Sequence, residues 1–186
     1  MKIDSRFEPI LTQRLRLRRS WPDDAEQISA YRSDPDVHRY QGWDRLDPDG
    51  IRAEIELMAD RMPGEPGGWV QLSVEDRETG QLVGDVGLSP AEDDATVIKL
   101  GYTIAPAFQR RGYATEAITA LIDYAFETLR ADVARVYASA INKPSVRVAE
   151  KVGMQLVETI EREYDGEMWH RVRYEIRRSR WAQDRP

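Results

Sequence analysis

The sequence has no cysteine, and its 186 residues include only two histidines, His38 and His170. Without thiols there is no disulfide, no thiolate nucleophile and no cysteine-ligated metal. Two histidines exclude a multi-histidine centre, so no metal is expected. Long apolar runs are also missing, and none could cross the hydrocarbon core of a bilayer. The opening residues Met1, Lys2, Ile3, Asp4, Ser5 and Arg6 lack the apolar stretch of a signal peptide. A cytoplasmic setting with no membrane partner is therefore expected. Positive charge is in deficit: 27 Lys and Arg stand against 33 Asp and Glu, for a formal net charge of -6. Phosphate neutralisation needs clustered cations, so no nucleic-acid partner is expected. The acidic balance suits a cationic partner such as an amine.

Apolar residues are plentiful, at 41% against 32% charged, which is enough for a core and too many for a disordered chain. No repeat, low-complexity tract or long linker divides the chain, and its length suits one domain over residues 1–186. The Pro63 to Gly68 cluster reads as a loop. Leu15 and Leu17 alternate with Arg14, Arg16 and Arg18, which predicts a half-buried strand with a solvated arginine face. Helices are predicted over Asp23 to Tyr31 and Asp47 to Met62, the second with an aspartate cap and a first-turn proline. Strands follow at Trp69 to Val74, Gln81 to Leu88, Thr96 to Ile104 and Arg135 to Ala140. Gln155 to Tyr164 and Met168 to Ile176 form a hairpin across Asp165-Gly166. Ala117, Ile118, Leu121, Ile122 and Ala125 recur at helical spacing after Ala114. A shorter helix runs from Pro144 to a stop at Gly153.

The segment Gln109-Arg110-Arg111-Gly112-Tyr113-Ala114-Thr115 joins the strand ending at Ile104 to the long helix. The first N–H groups of a helix have no internal partner and lie at the positive end of its dipole. Gly112 lets an anion approach the backbone, and Arg110 and Arg111 add charge-assisted donors. Together they suit a pyrophosphate. A simple turn flanked by solvated arginines remains the alternative.

In this segment the chain resembles the GNAT superfamily of N-acetyltransferases, whose acetyl-CoA motif Gln/Arg-x-x-Gly-x-Gly/Ala matches Gln109 to Ala114. Lys99 to Ile104, Thr115 to Ala117, Asn142 to Ser145 and Glu150 to Met154 also look like that family. Leu11 to Arg18 is similar to the branch that acetylates ribosomal-protein N-termini. The resemblance implies an α/β (α+β) fold. Its mixed, largely antiparallel sheet would have about seven strands and about four flanking helices, and would splay between the fourth and fifth strands. It implies acetyl-CoA as cosubstrate, with the pantetheine arm along Tyr102, Thr103 and Ile104 and the pyrophosphate on Arg110, Arg111, Gly112, Tyr113, Ala114 and Thr115. Asn142 would bond the pantetheine, with Ser145 nearby. An N-cap role also fits Asn142.

The chemistry so implied is direct attack of an amine on the thioester through a tetrahedral intermediate. The amine must lose a proton, the oxyanion needs a donor near Ile104, and the departing thiolate takes a proton. Many family members carry a tyrosine acid seven residues after the Asn; here that position is Ala149, and Ser145 is the substitute. Asp85 is the candidate base on a central strand, with Glu75, Glu92, Asp93, Asp94 and His38 as others. Tyr40 and Trp43 are candidate acceptor-binding aromatics. The acceptor is a peptide N-terminus or a small amine. A CoA-binding sensor without turnover is the alternative reading, and an open sheet edge could pair with a second copy as a homodimer.

Overall fold

Alternating apolar residues, aligned across neighbouring strands, build the sheet that organises the computed structural model. The structure describes residues 7–41, 47–66, 68–164 and 167–183, except the side chains of Arg162, Tyr164, Glu167 and Trp169. Its strands are β1 (Ile10–Leu11), β2 (Leu15–Arg19), β3 (Val70–Asp76), β4 (Leu82–Pro90), β5 (Val97–Ile104), β6 (Val133–Ser139), β7 (Gln155–Tyr164) and β8 (Glu167–Arg177). They form one eight-stranded sheet in the order β1-β2-β3-β4-β5-β6-β8-β7. Every pairing is antiparallel except β5 with β6. The strand beyond the expected seven is β1, two residues that pair with β2 and are too short to show a period.

Six α-helices are described: α1 (Ala25–Arg32), α2 (Pro35–His38), α3 (Pro48–Met58), α4 (Tyr113–Asp123), α5 (Lys143–Lys151) and α6 (Arg178–Gln183). The second expected helix ends at Met58, four residues early. The short α2 is capped by Asp34, whose side chain accepts from the Asp36 N–H at 2.8 Å, and α6 closes the described chain. The apolar stripe of α4 fulfils its periodicity. Ala117, Ile118, Leu121 and Ile122, with Ala125 in the π-helical turn Tyr124–Thr128 that follows, are buried in one cluster with Leu15, Leu17, Val86, Leu88 and Leu100 of the sheet. Truncating a leucine there, such as Leu121→Ala, would cost about 2–5 kcal/mol.

Helices α4 and α5 cover one face of the sheet. On the other, α1 and α3 enclose a smaller cluster with Ile28, Tyr31, Ile51, Ile55 and Leu82. Of the arginines expected to form a solvated face, Arg14 and Arg16 keep 43% and 40% of their side chains exposed, but Arg18 is buried, which corrects the expectation for that residue. Arg18 is 6% exposed. It pairs with Asp24 at 2.7 Å and Glu75 at 2.8 Å, and stacks on Trp21 at 4.0 Å. Ser73 completes that buried network by donating to Asp24 at 2.9 Å. A buried arginine is held only where carboxylates meet it, and these come from a turn and a neighbouring strand that the alternation of β2 does not reveal. The Asp165-Gly166 turn lies outside the described residues, but β7 and β8 pair up to Tyr164 and Glu167 on either side of it.

Candidate active site

The sheet opens where β5 and β6 part. Their parallel pairing runs from Val97 with Val133 to Leu100 with Val136 and then stops. Beyond it, Gly101–Ile104 remains bound to β4, while Tyr137–Ser139 remains bound to β8. The two strands thus present unpaired edges to each other. The Ala105 N–H donates to the Val83 carbonyl of β4 at 3.0 Å. Strand alternation then turns the backbone groups of Tyr102 and Ile104 toward the opening, and those of Thr103 toward β4. The Gln109 side chain donates to the Ile104 carbonyl at 3.0 Å. Gln109 is therefore a brace at the end of β5, and the Ile104 N–H still faces the gap.

At the mouth of the opening the backbone folds into a cradle. Arg110 and Gly112 both adopt left-handed φ, at +62° and +84°, and an alternation of this kind curls successive N–H groups inward as an anion nest. Gly112 caps α4. The first helical bond runs from the Glu116 N–H to the Gly112 carbonyl at 3.0 Å, so the amides of Tyr113, Ala114 and Thr115 have no helical acceptor. Arg110 and Arg111 are exposed beside them.

The cradle is braced from the bend that precedes β2, a feature that the motif does not contain. Arg14 donates to the Arg111 carbonyl at 3.0 Å, pairs with Glu116 at 2.7 Å and lies over the Tyr113 ring at 4.7 Å. Glu116 also accepts from Thr12 at 2.6 Å. Burial alone would raise the Glu116 carboxyl, but the Thr12 and Arg14 bonds hold it below the usual range. Tyr113 is anchored by donating to Asp76 at 2.6 Å, which raises the phenol and lowers the carboxyl.

On the α5 side, Asn142 does act as an N-cap, accepting from the Ser145 N–H at 3.2 Å. Its side-chain nitrogen has no bond among the described residues. The Tyr102 hydroxyl reaches across the opening to Ser145, at 2.8 Å from both its carbonyl and its Oγ. Burial is the main cause that pushes the Tyr102 phenol up to about 12, so it stays protonated at neutral pH. Ala149 is buried one turn further along α5.

Asp85 is only 1% exposed and sits beside Thr103 in the register. Its side chain lies on the opposite face from Tyr102, among α1 residues. It accepts from Tyr31 and Gln71, and from Arg32 at 3.1 and 3.2 Å. Burial first, and then the Asp85 charge, hold the Tyr31 phenol well above its usual range. A carboxylate occupied by three donors suits a structural acceptor, which corrects the expectation that Asp85 is the base. The Tyr40 ring is covered by the Arg39 guanidinium at 4.6 Å, and Trp43 lies outside the described residues. The Nδ1 of His38 is enclosed without a partner among the described residues. Glu75, Glu92 and Asp93 are engaged with Arg18, Lys99 and Arg135 respectively.

A family model for the acetyltransferase (GNAT) domain matches residues 14–155. The uncharacterised protein YkkB of Bacillus subtilis (strain 168) is 33% identical over 156 residues, covering 81% of this chain and 87% of its own length. Two solved structures share the fold. The spermidine N-acetyltransferase of Vibrio cholerae, in complex with CoA and spermine, has a TM-score of 0.78 at 20% identity, covering 92% of this chain and 99% of that one. The ribosomal α-N-protein acetyltransferase RimL, in complex with coenzyme A, has a TM-score of 0.76 at 17% identity, covering 91% and 98%.

Proposed function

The chain belongs to the GNAT acetyltransferase family, and on that premise we propose that it transfers the acetyl group of acetyl-CoA to a primary amine. One observation carries the reading: the unpaired edge at Tyr102 and Ile104 leads directly to the amide nest at Arg110–Thr115. An extended pantetheine arm satisfies the first as an added strand, and a pyrophosphate satisfies the second. Thr103 holds β5 to β4, Gln109 braces the end of β5, and the free nitrogen of Asn142 donates to the pantetheine. CoA is present in both solved relatives. A cytoplasmic setting belongs to the same reading.

In the reaction, the amine nitrogen attacks the thioester carbonyl carbon and a tetrahedral intermediate forms. The Ile104 N–H, aimed into the gap, is the donor for the oxyanion. The C–S bond then breaks, and the sulfur takes a proton from the Ser145 and Tyr102 hydroxyl pair. That pair supplies from β5 and the first turn of α5 what Ala149 cannot. The ammonium proton leaves to water on the opposite face, because Asp85 is occupied. The acceptor is a protein N-terminal α-amine or a small-molecule amine. The Leu11 to Arg18 segment favours the former, and spermine in the Vibrio cholerae enzyme keeps the latter within the proposal.

The test is thiol release from acetyl-CoA, followed with a thiol-reactive dye across peptides with free N-termini, polyamines and aminoglycosides. Acceptor-dependent release is expected, with one thiol for each amine acetylated. Saturable acetyl-CoA binding with no release for any amine would contradict the transferase and favour the sensor. Absence of acetyl-CoA binding would overturn both.

A further inference from the structure

The geometry points to Trp69 as a specificity-determining residue, an indole platform for the acceptor amine at the edge of the opening; this rests on the acetyl-transfer reading above. Trp69 precedes β3, and its ring lies across β4 to β5 on the face opposite α4. A Cβ added to Gly87 would collide with the indole, and one added to Gly101 would lie 3.0 Å from its tip. These two glycines are Cα partners on adjacent strands, so together they make the flat floor that lets the ring lie down. Gly101 is also the first residue of β5 after its pairing with β6 ends. The tip of the indole therefore stands at the edge of the opening.

The ring is locked in place. Its Nε1 donates to Gln71 at 2.6 Å, and the Gln71 amide donates to Asp85, which Tyr31 and Arg32 hold from α1. Asp85 thereby gains a role: through Gln71 it fixes the ring, as a positioning residue. A tryptophan so tightly held would ordinarily be buried, yet Trp69 remains 36% exposed. An indole with one face against glycine backbone and a free surface at the edge of the opening can take the apolar frame or the ammonium of an acceptor.

The experiment measures acetyl-CoA-dependent acetylation of alaninamide, leucinamide and phenylalaninamide by the wild-type chain and by Trp69→Ala, Trp69→Phe and Gln71→Leu. In the wild type, kcat/KM should rise with the apolar side chain. Trp69→Ala should lose about tenfold in kcat/KM for phenylalaninamide and flatten the series, with the KM for acetyl-CoA unchanged. Trp69→Phe should restore part of the gradient. Gln71→Leu keeps the ring but frees it, and should fall between. Thermal melting checks that each variant is folded. A gradient that persists in Trp69→Ala, or an equal loss for all three amines with a raised acetyl-CoA KM, overturns the platform alone. If the wild type acetylates none of these amides or the amines tested above, the acetyl-transfer reading fails and the platform with it.

Discussion

The two faces of the opening are built in opposite ways. On the side proposed for the cosubstrate, most of the groups offered are backbone: the Ile104 N–H, the nest between Arg110 and Gly112, and the first amides of α4. Side chains such as Arg14 and Gln109 serve there mainly as braces. On the side proposed for the acceptor, the floor is side chain, with Trp69, Gln71, Asp85, Tyr31 and Arg32 drawn from two strands, a helix and a loop. A backbone site recognises what is constant in its ligand, and tolerates sequence change wherever the fold survives. A side-chain site can change its acceptor one residue at a time.

The sharpest break in this comparison comes at Gly112. Gly112→Asp should weaken CoA binding by about a thousandfold, since a carboxylate would stand within about 4 Å of the pyrophosphate near the protein surface and φ at +84° disfavours any side chain. Gly112→Ala separates strain from charge, and calorimetric titration reads both.

Away from the cradle, the largest expected loss is of stability, through the buried Arg18–Asp24 pair. Asp24→Ala leaves Arg18 without its main partner and should cost about 3 kcal/mol of stability, measured by urea denaturation. Burial raises the Asp24 carboxyl, but the bonds from Arg18, Trp21 and Ser73 outweigh it and leave it below the usual range. Its stabilising contribution is therefore complete above about pH 4, and is lost as pH falls through the lowered value. The Asp24→Ala chain should show a weaker loss of stability on acidification than the wild type.

Tyr102→Phe removes the hydroxyl that spans the opening. It should lower kcat about a hundredfold with little change in acetyl-CoA affinity, as steady-state kinetics beside a binding titration would show. Arg14→Ala should raise the KM for acetyl-CoA about tenfold, the effect of one lost charge-assisted brace. Acetyl-pantetheine, which lacks the pyrophosphate, should be indifferent to that change.

The same division governs what could be read from the sequence. The backbone cradle was legible because Gln109 to Thr115 is contiguous and its glycine announces the turn into α4. The α4 stripe and the strand order were legible from periodicity. The brace was not, because Arg14 and Glu116 stand 102 positions apart and nothing local couples them. Trp69 escaped for a similar reason: its meaning lies in two glycines on other strands. Arg18 looked solvated because alternation fixes only which face it takes, while Asp24 and Glu75 decide that the face is buried. Asp85 was placed correctly in its strand, but its occupancy by Tyr31, Arg32 and Gln71 depends on the packing of α1.

The most direct test of the central claim, that the parted strands and the nest form one cosubstrate site, is a calorimetric titration of CoA into the wild-type chain and Gly112→Asp. One saturable site per chain is expected in the wild type, with a Kd of about 1–100 μM, and no measurable binding in the variant. A wild type that does not bind, or a variant that binds equally well, would contradict that claim.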